Sequence, residues 1–123
     1  MKVLLSIKRE FAEKIFNGSK KYEFRRTIFK KPDVNTVVVY ASGSGGAIVG
    51  EFQIEEILHS DLDTLWRNTG NYAGISKRMF VKYFADKSQG YAIRIKKATV
   101  YDPPLPLNAL NLHCAPQSFT YLL

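Results

Sequence analysis

The densest group of chemically active side chains lies between Asn17 and Arg26, in the run Asn-Gly-Ser-Lys-Lys-Tyr-Glu-Phe-Arg-Arg. Lysine and arginine bind phosphates and carboxylates, and a glutamate among them can accept a hydrogen bond or transfer a proton. Because side chains alternate along an extended strand, Lys21, Glu23 and Arg25 are predicted to share one face. Glu23 would then lie between two cations, which predicts a lowered pKa and a role as a fixed acceptor.

Alternating charges on a strand more often form a solvated face whose ion pairs contribute little. The distribution of charge along the chain favours a binding site instead. Residues 1–31 contain ten lysines and arginines against three acidic residues, whereas residues 32–123 contain eight of each. The net charge of +7 therefore resides in the first quarter of the chain, which is typical of a site for a polyanion.

Helical and strand patterns around this run indicate how it is positioned. A short apolar run at residues 2–7 predicts a buried strand, and residues 9–17 predict a helix that ends at Gly18. The β-branched run 37–41 predicts a central strand. The glycine-rich run 42–46 lacks the lysine of a phosphate-binding loop, so we interpret it as a hairpin connection. A strand over 47–58 is predicted to bulge or to end at Glu55 and Glu56.

Two further helices are predicted before the last long strand. Ser60 is the expected N-cap of the first, which Gly70 ends, and Ser76 is the expected N-cap of the second. The apolar stripe of the second helix is predicted to be core without a ligand role, and comprises Met79, Phe80, Tyr83 and Phe84. The strand beginning at Gly90 is predicted to end at Tyr101, because prolines follow.

These elements predict an α+β fold, a small partly open barrel of five to six mixed strands with about three inserted helices. Residues 1–123 are expected to form a single domain, in which residues 102–123 are an extended segment that packs back on the barrel and buries Phe119 and Tyr121. The oligomeric state stays open.

Composition narrows the chemistry and the compartment. The lone Cys114 excludes an internal disulfide and cannot form a zinc site by itself, and His59 and His113 are far apart in the sequence. We therefore expect neither a metal nor a cofactor. A single cysteine fits a reducing cytosol, and no signal peptide or membrane span is predicted, so we expect a cytoplasmic protein.

Several motifs in order along the chain resemble the ASCH (activating signal cointegrator homology) family. They are Ser6-Ile7-Lys8 before the first helix, Gly18-x-Lys20, Tyr22-Glu23-x-Arg25, Tyr40-Ala41-Ser42, Val49-Gly50-Glu51-Phe52 and the tail Ala115-Pro116-Gln117-Ser118-Phe119. The resemblance implies a PUA-like barrel with a cleft beside the first helix. It also implies binding of RNA or nucleotides, with a role in transcription or translation.

The family pattern carries over onto particular residues of this chain. It implies that Lys20, Glu23 and Arg25 lie at the cleft, with Lys8 near its entrance and Tyr40 and Ser42 on the neighbouring strand. Arg26 adds a further cation, and Tyr22 or Tyr40 could stack on a base. Some family members are amidohydrolases with a threonine nucleophile, but Glu23 occupies that position here. Other members are ribonucleases, for which Lys20, Tyr40 and Ser42 would be the candidate set.

Three functions follow as hypotheses. The first is a binding module for RNA or a nucleotide-like ligand, in which Lys20 and Arg25 engage phosphate or a base edge and Glu23 accepts a hydrogen bond from an exocyclic amine or a 2′-hydroxyl. The second is a small hydrolase of RNA or modified (acylated) nucleosides, with Lys20 as general base or charge stabiliser and Glu23 as polarising partner. The third is an interaction domain whose basic face binds an acidic protein.

Overall fold

The computed structural model describes residues 1–122, which form six strands and three α-helices. None of these helices is long and apolar enough to cross a membrane. Two short 3-10 helices cover Gly70–Tyr72 and Leu107–Leu110. The other elements are β1 (Lys2–Lys8), α1 (Arg9–Phe16), β2 (Tyr22–Arg25), β3 (Thr36–Ser42), β4 (Ala47–Asp61), α2 (Leu62–Thr69), α3 (Lys77–Tyr83), β5 (Gln89–Leu105) and β6 (Phe119–Leu122).

All six strands belong to one mixed sheet in the order β2-β5-β4-β3-β1-β6. The neighbouring strands β1 and β3 are parallel, and every other neighbouring pair is antiparallel. The sheet curls into a half-barrel, which confirms the predicted α+β class and the partly open barrel. The register of β4 against β5 shifts on either side of Ile54, so the bulge predicted at Glu55 and Glu56 is confirmed.

Three apolar clusters pack on the two faces of this sheet. The first joins Val3, Leu5 and Ile7 of β1 to Ala12 and Ile15 of α1. The second lies beneath α2 and α3 and contains a group of contacting aromatic rings; its buried members are Phe24, Leu65, Ala73, Phe80, Phe84 and Ala92. The third covers the other face of β1 and β3, and its buried members are Leu4, Val38 and Ile48.

The N-cap of α2 differs from the sequence prediction. The Asp61 carboxylate accepts a hydrogen bond from the Thr64 backbone N–H at 3.0 Å, whereas Ser60 was the expected cap. Ser60 is still part of β4, where it is paired with Gly90, so it lies one residue before the helix boundary. The N-cap of α3 is confirmed, because the Ser76 hydroxyl accepts from the Met79 backbone N–H at 3.1 Å.

Strand β5 does not end at Tyr101 as predicted. It continues to Leu105, which pairs with Ile48, while Val100 pairs with Gly50. Four residues of β5 thus lie opposite one residue of β4, and both prolines fall within this irregular stretch. The prolines are tolerated because ladder hydrogen bonds are interrupted at a bulge.

The last described strand lies beside the first. Strand β6 runs antiparallel to β1, and Lys2 pairs with Leu122. Phe119 and Tyr121 are half-buried and pack against the first cluster. The Tyr121 hydroxyl accepts hydrogen bonds from the backbone N–H groups of Lys30 and Lys31, at 2.8 and 3.2 Å. The tail therefore fixes the basic loop between β2 and β3.

Candidate functional site

A cleft of about 570 Å³ opens between the edge strand β2 and the junction of β1 with α1. Helix α3 forms its outer wall, and the segment before β6 forms one end. We call it the seam cleft, because it separates strands that a closed barrel would bring together. Its lining residues are Ser6, Ile7, Lys8, Phe11, Lys20, Glu23, Phe24, Arg25, Ile75, Met79, Lys82, Tyr83 and Gln117.

Lys20 is a buried cation in the wall of the seam cleft, with a residue exposure of 2%. Its ammonium donates a hydrogen bond to the Ala73 carbonyl at 2.6 Å and lies 4.9 Å from the centre of the Phe24 ring. Burial lowers the pKa of Lys20 to about 8, and the negative charge of Glu23 partly opposes that shift. A substantial fraction of neutral amine is therefore present at slightly alkaline pH.

The short segment before α3 holds Lys20 and Lys21 of the turn and Lys14 of α1 in place. Carbonyl oxygens at three successive positions, 72 to 74, accept from the Lys21 backbone N–H and from the ammonium groups of Lys20 and Lys14. Gly74 adopts φ +70, and a Cβ at this position would lie 2.5 Å from the Lys20 Cβ. Only glycine combines this backbone conformation with such close packing on the lysine stem.

Glu23 and Arg25 form an ion pair on β2, with Arg25 Nη1 donating to Glu23 Oε2 at 3.3 Å. The second terminal nitrogen of Arg25 donates to the Ser118 hydroxyl at 3.1 Å and to its carbonyl at 3.3 Å. Glu23 has a residue exposure of only 6%. The guanidinium thus connects the edge strand to the C-terminal segment across the seam.

The lowered pKa predicted for Glu23 is wrong. Burial raises the pKa of this carboxyl, and it outweighs the opposing effects of Lys20 and Arg25. The prediction treated the strand face as wet, whereas α3 and the tail cover it. The second cation is also a different residue, because Lys20 in the turn faces Glu23, while the Lys21 ammonium lies 5.0 Å from the Tyr72 ring centre.

Four of the eight sequence-predicted site residues line the seam cleft: Lys8, Lys20, Glu23 and Arg25. Lys8 is exposed at its rim. Of the other four, Tyr22 is half-buried against the second cluster. Arg26 donates from one nitrogen to the carbonyls of Tyr83 and Ala85, both at 2.8 Å, and so stabilises the C-terminal end of α3.

Tyr40 and Ser42 lie outside the cleft, so the structure does not bring them to Lys20. Tyr40 packs at the edge of the third cluster, and a Cβ on Gly46 would overlap its ring. The Ser42 hydroxyl donates to the Ile7 carbonyl at 3.4 Å. Both residues are on β3, one strand away from the seam and beyond β1.

Several lining residues were missed from the sequence. Met79 and Tyr83 were expected in the core, yet they are 42% and 38% exposed and face the cleft. Their separation of four residues was the available signal, because it places them on one side of α3. Burial raises the pKa of Tyr83, and Arg25 and Glu23 lie near enough to influence it. Gln117 and Ser118 belong to the tail motif, for which no role was predicted.

Within residues 1–122 no group of three or more histidine, cysteine or acidic side chains is arranged to hold a metal ion. The seam cleft itself supplies cations, a buried carboxyl and aromatic rings. Such a set can bind phosphate, accept hydrogen bonds and transfer protons.

The family model of the ASCH domain matches residues 5–101, which is most of the chain. The chain belongs to the ASCH domain family. Three crystal structures of ZmASCH from Zymomonas mobilis, two of them mutants, share the fold of this ASCH domain. The first two have TM-scores of 0.90 and 0.89 at 27% and 28% identity, and each comparison covers 99% of this chain.

The third ZmASCH structure has a TM-score of 0.89 at 29% identity and covers 99% of this ASCH domain and 87% of that chain. The first two comparisons cover 88% and 90% of the ZmASCH chains. The similarity extends over nearly the whole chain in each case. The PUA-like fold implied by the sequence resemblance is therefore confirmed.

Sequence relatives of this ASCH domain include proteins of very different length. An "ASCH domain-containing ribonuclease" of Zymomonas mobilis is 29% identical over 125 residues, covering 97% of this chain and 82% of the relative. A Ureaplasma parvum "ATP synthase subunit alpha" is 30% identical, and a "large ribosomal subunit protein uL22" is 27% identical, each match covering 98% of this chain. The chain spans only 15% and 39% of those two proteins.

Proposed function

We propose that the seam cleft binds RNA and that Lys20, Glu23 and Arg25 are its central residues. The observation that carries the proposal is the buried cation, carboxyl and guanidinium that meet in one cleft of about 570 Å³. A cavity of this size lies within the range of small-ligand sites. It suits one nucleotide of a single strand, whose neighbours would lie along the basic residues at the rim.

Each side chain has a role that its environment supports. Lys8 and Lys82 at the cleft supply cations for the phosphates on either side of the bound nucleotide. Glu23, fixed by Arg25, would accept a hydrogen bond from an exocyclic amine or a 2′-hydroxyl. Tyr83 takes the stacking role that the sequence suggested for Tyr22 or Tyr40, because its ring lines the cleft.

The relatives support an RNA-related function. The ribonuclease named above aligns with nearly the whole of this chain. The ZmASCH structures share the fold of this chain. A role in transcription or translation, as the family resemblance implies, would use the same RNA-binding cleft. Binding of an acidic protein by the basic region is the competing proposal, and competition of short RNA against an acidic peptide separates the two.

The test is binding of labelled single-stranded RNA at several salt concentrations. Affinity is expected to fall steeply with salt, and the slope of log K against log salt should decrease by about 0.7 for each phosphate contact removed. Lys20→Ala and Arg25→Ala should each weaken binding strongly. Lys96→Ala is the control, because Lys96 is exposed on β5 and outside the cleft. Salt-insensitive binding, or an equal loss in the control, would refute the proposal.

RNA cleavage is the second candidate, and the lowered pKa of Lys20 favours it. As a free amine, Lys20 would remove the proton from a 2′-hydroxyl while that oxygen attacks the adjacent phosphorus. The bond from phosphorus to the 5′-oxygen would break, and Glu23, with its raised pKa, would protonate the leaving oxygen. Arg25 would stabilise the charge on the phosphorane. The products are a 2′,3′-cyclic phosphate and a 5′-hydroxyl.

Mass spectrometry of the same RNA after incubation distinguishes cleavage from binding alone. Cleavage predicts cyclic-phosphate products from the wild type and the Lys96→Ala control, and none from Lys20→Ala. Intact RNA in every sample, together with salt-dependent binding, would identify a binding module rather than an enzyme.

A further inference from the structure

The exposed end of the β4–β5 ribbon carries an aromatic pair that the seam cleft does not use. The His59 and Tyr91 rings have centroids 4.1 Å apart and planes only 9° from parallel. They are direct partners in the antiparallel ladder. His59 is exposed and Tyr91 is half-buried, so Tyr91 supports the histidine ring from the sheet side.

Within residues 1–122, no strand pairs with β4 on the outer side of His59. β3 pairs with β4 only as far as Gln53, opposite Thr36, so from there to Asp61 β4 has a strand neighbour on one side only. Ile57, two residues before His59 on the same face, is itself 38% exposed. A flat ring beside an exposed aliphatic side chain forms a surface on which a planar apolar group can stack.

This pair is aligned with the seam cleft. Tyr91 is the ladder partner of Arg25 on β2 as well as of His59 on β4. Arg25, Tyr91 and His59 therefore occupy one row across three strands, with side chains on the same face. The backbone of His59 is two strand spacings from that of Arg25, or roughly 10 Å. Bases splayed out from one short single strand can reach both positions.

We propose that the His59–Tyr91 pair is a stacking platform for a second base of a single-stranded RNA whose neighbouring nucleotide occupies the seam cleft. The inference rests on the proposed RNA binding and adds to it a subsite outside the cleft. Stacking on an aromatic ring tolerates any base, because every base has a π face. The platform therefore adds affinity for strands of two or more nucleotides and little sequence preference.

The test compares a mononucleotide with a trinucleotide that carries 2-aminopurine at one end or the other. His59→Ala should weaken trinucleotide binding by at least about fivefold, the lower end of the measured range for one stacked base. It should leave mononucleotide binding unchanged, because the cleft is intact. Fluorescence of one of the two labelled trinucleotides should be quenched on binding, and His59→Ala should abolish that quenching.

Two variants serve as controls. His59→Phe keeps a flat ring and should retain both the affinity and the quenching. His113→Ala removes the only other histidine of the chain, which is exposed in the C-terminal segment, and should bind as the wild type does.

The outcomes separate the platform from the cleft. Wild-type affinity of His59→Ala for the trinucleotide, alongside loss of binding in Lys20→Ala, would refute the platform and retain the cleft. Equal weakening of mononucleotide and trinucleotide binding by His59→Ala would also refute it. Failure of the wild type to bind any of these RNAs would refute both proposals.

Discussion

Lys20 combines a charge with almost complete burial, and the balance between the two makes its protonation sensitive to pH. The Ala73 carbonyl, the Phe24 ring and the Glu23 carboxyl favour the ammonium, whereas desolvation disfavours it. Desolvation is the larger effect, and the pKa falls to about 8. Small changes in the surroundings of this side chain will therefore change its charge near neutral pH.

RNA affinity is expected to weaken as the pH rises through about 8, because Lys20 is a cation below that pH and a neutral amine above it. If Lys20 is the base of a cleavage reaction, the rate should instead rise over the same interval. Lys20→Arg keeps the charge and should remove the step in binding. Glu23→Gln should move the step to lower pH, because the negative charge that raises the pKa of Lys20 is lost. Binding that is flat across this interval would contradict the assignment.

The proximity of Glu23 and Arg25 could be predicted from the sequence, but the pKa shifts of Lys20 and Glu23 could not. Spacing shows which charges are near one another along the chain. The pKa of Glu23 depends on how thoroughly α3 and the tail exclude water, and those residues are far from β2 in sequence.

The loop before α3 and the first turn of that helix position residues that line the cleft. The loop supplies the carbonyl that binds Lys20, and α3 presents Met79 and Tyr83 to the cleft. Both depend on local features of modest energy, a glycine in the left-handed region and a serine cap. Substitutions at these positions should alter the site without touching a ligand.

Gly74→Ala should destabilise the fold by more than the roughly 1–2 kcal/mol cost of a left-handed alanine, because the new Cβ also meets the Lys20 side chain at 2.5 Å. Gly45→Ala is a matched control. Gly45 has φ +69, and a Cβ there would have nothing within 4 Å. Urea denaturation measures both variants, and only Gly74→Ala should also weaken RNA binding. Equal losses of stability would show that packing on Lys20 contributes nothing.

Ser76→Ala should lower the free energy of unfolding by about 1 kcal/mol, because the Met79 backbone N–H loses its acceptor. Ser60→Ala should have a smaller effect, since Asp61 rather than Ser60 caps α2. Thermal or urea denaturation measures both losses, and a small loss in Ser60→Ala would support Asp61 as the N-cap of α2. A larger loss in Ser60→Ala than in Ser76→Ala would contradict the observed capping.

Strand and helix positions were largely predictable, because apolar periodicity and turn residues are local signals. The extension of β5 through two prolines was not, because it depends on a register irregularity opposite β4. The exposure of Met79 and Tyr83 was missed for a related reason. A helix stripe shows which residues are apolar, but the cleft determines which of them face the core.

The six-stranded sheet of the molecule is a half-barrel whose two edges are β2 and β6. The number of strands and the bulge in β4 predicted a partly open barrel. The order of the strands could not be predicted, because the parallel β1–β3 pair and the β1–β6 pair join segments distant in sequence. The seam cleft exists because this strand order leaves β2 and β6 unpaired with each other at the two edges of the sheet.

Deletion of residues 119–123 should destabilise the protein and promote its association. Without β6, the apolar strand β1 becomes a sheet edge with unpaired backbone groups, which favours pairing with another chain. Size-exclusion chromatography with light scattering at several concentrations measures the association. A full-length control with Phe119→Ala and Tyr121→Ala loses packing but keeps the ladder, so it should be less stable than the wild type without the added association of the deletion variant. A monodisperse deletion variant of wild-type stability would contradict this role of β6.

The hydrogen bonds across the seam join residues that are far apart in the sequence. The Ser6 hydroxyl donates to the Pro116 carbonyl, 110 residues later, and Arg25 binds Ser118, 93 residues later. Contacts of such separation form late, because long loops must close first. During synthesis, a ribosome must therefore release the residues up to Ser118 before the cleft can close around a ligand. Until that point, a translating copy of this protein would present its basic residues 1–31 without a formed site.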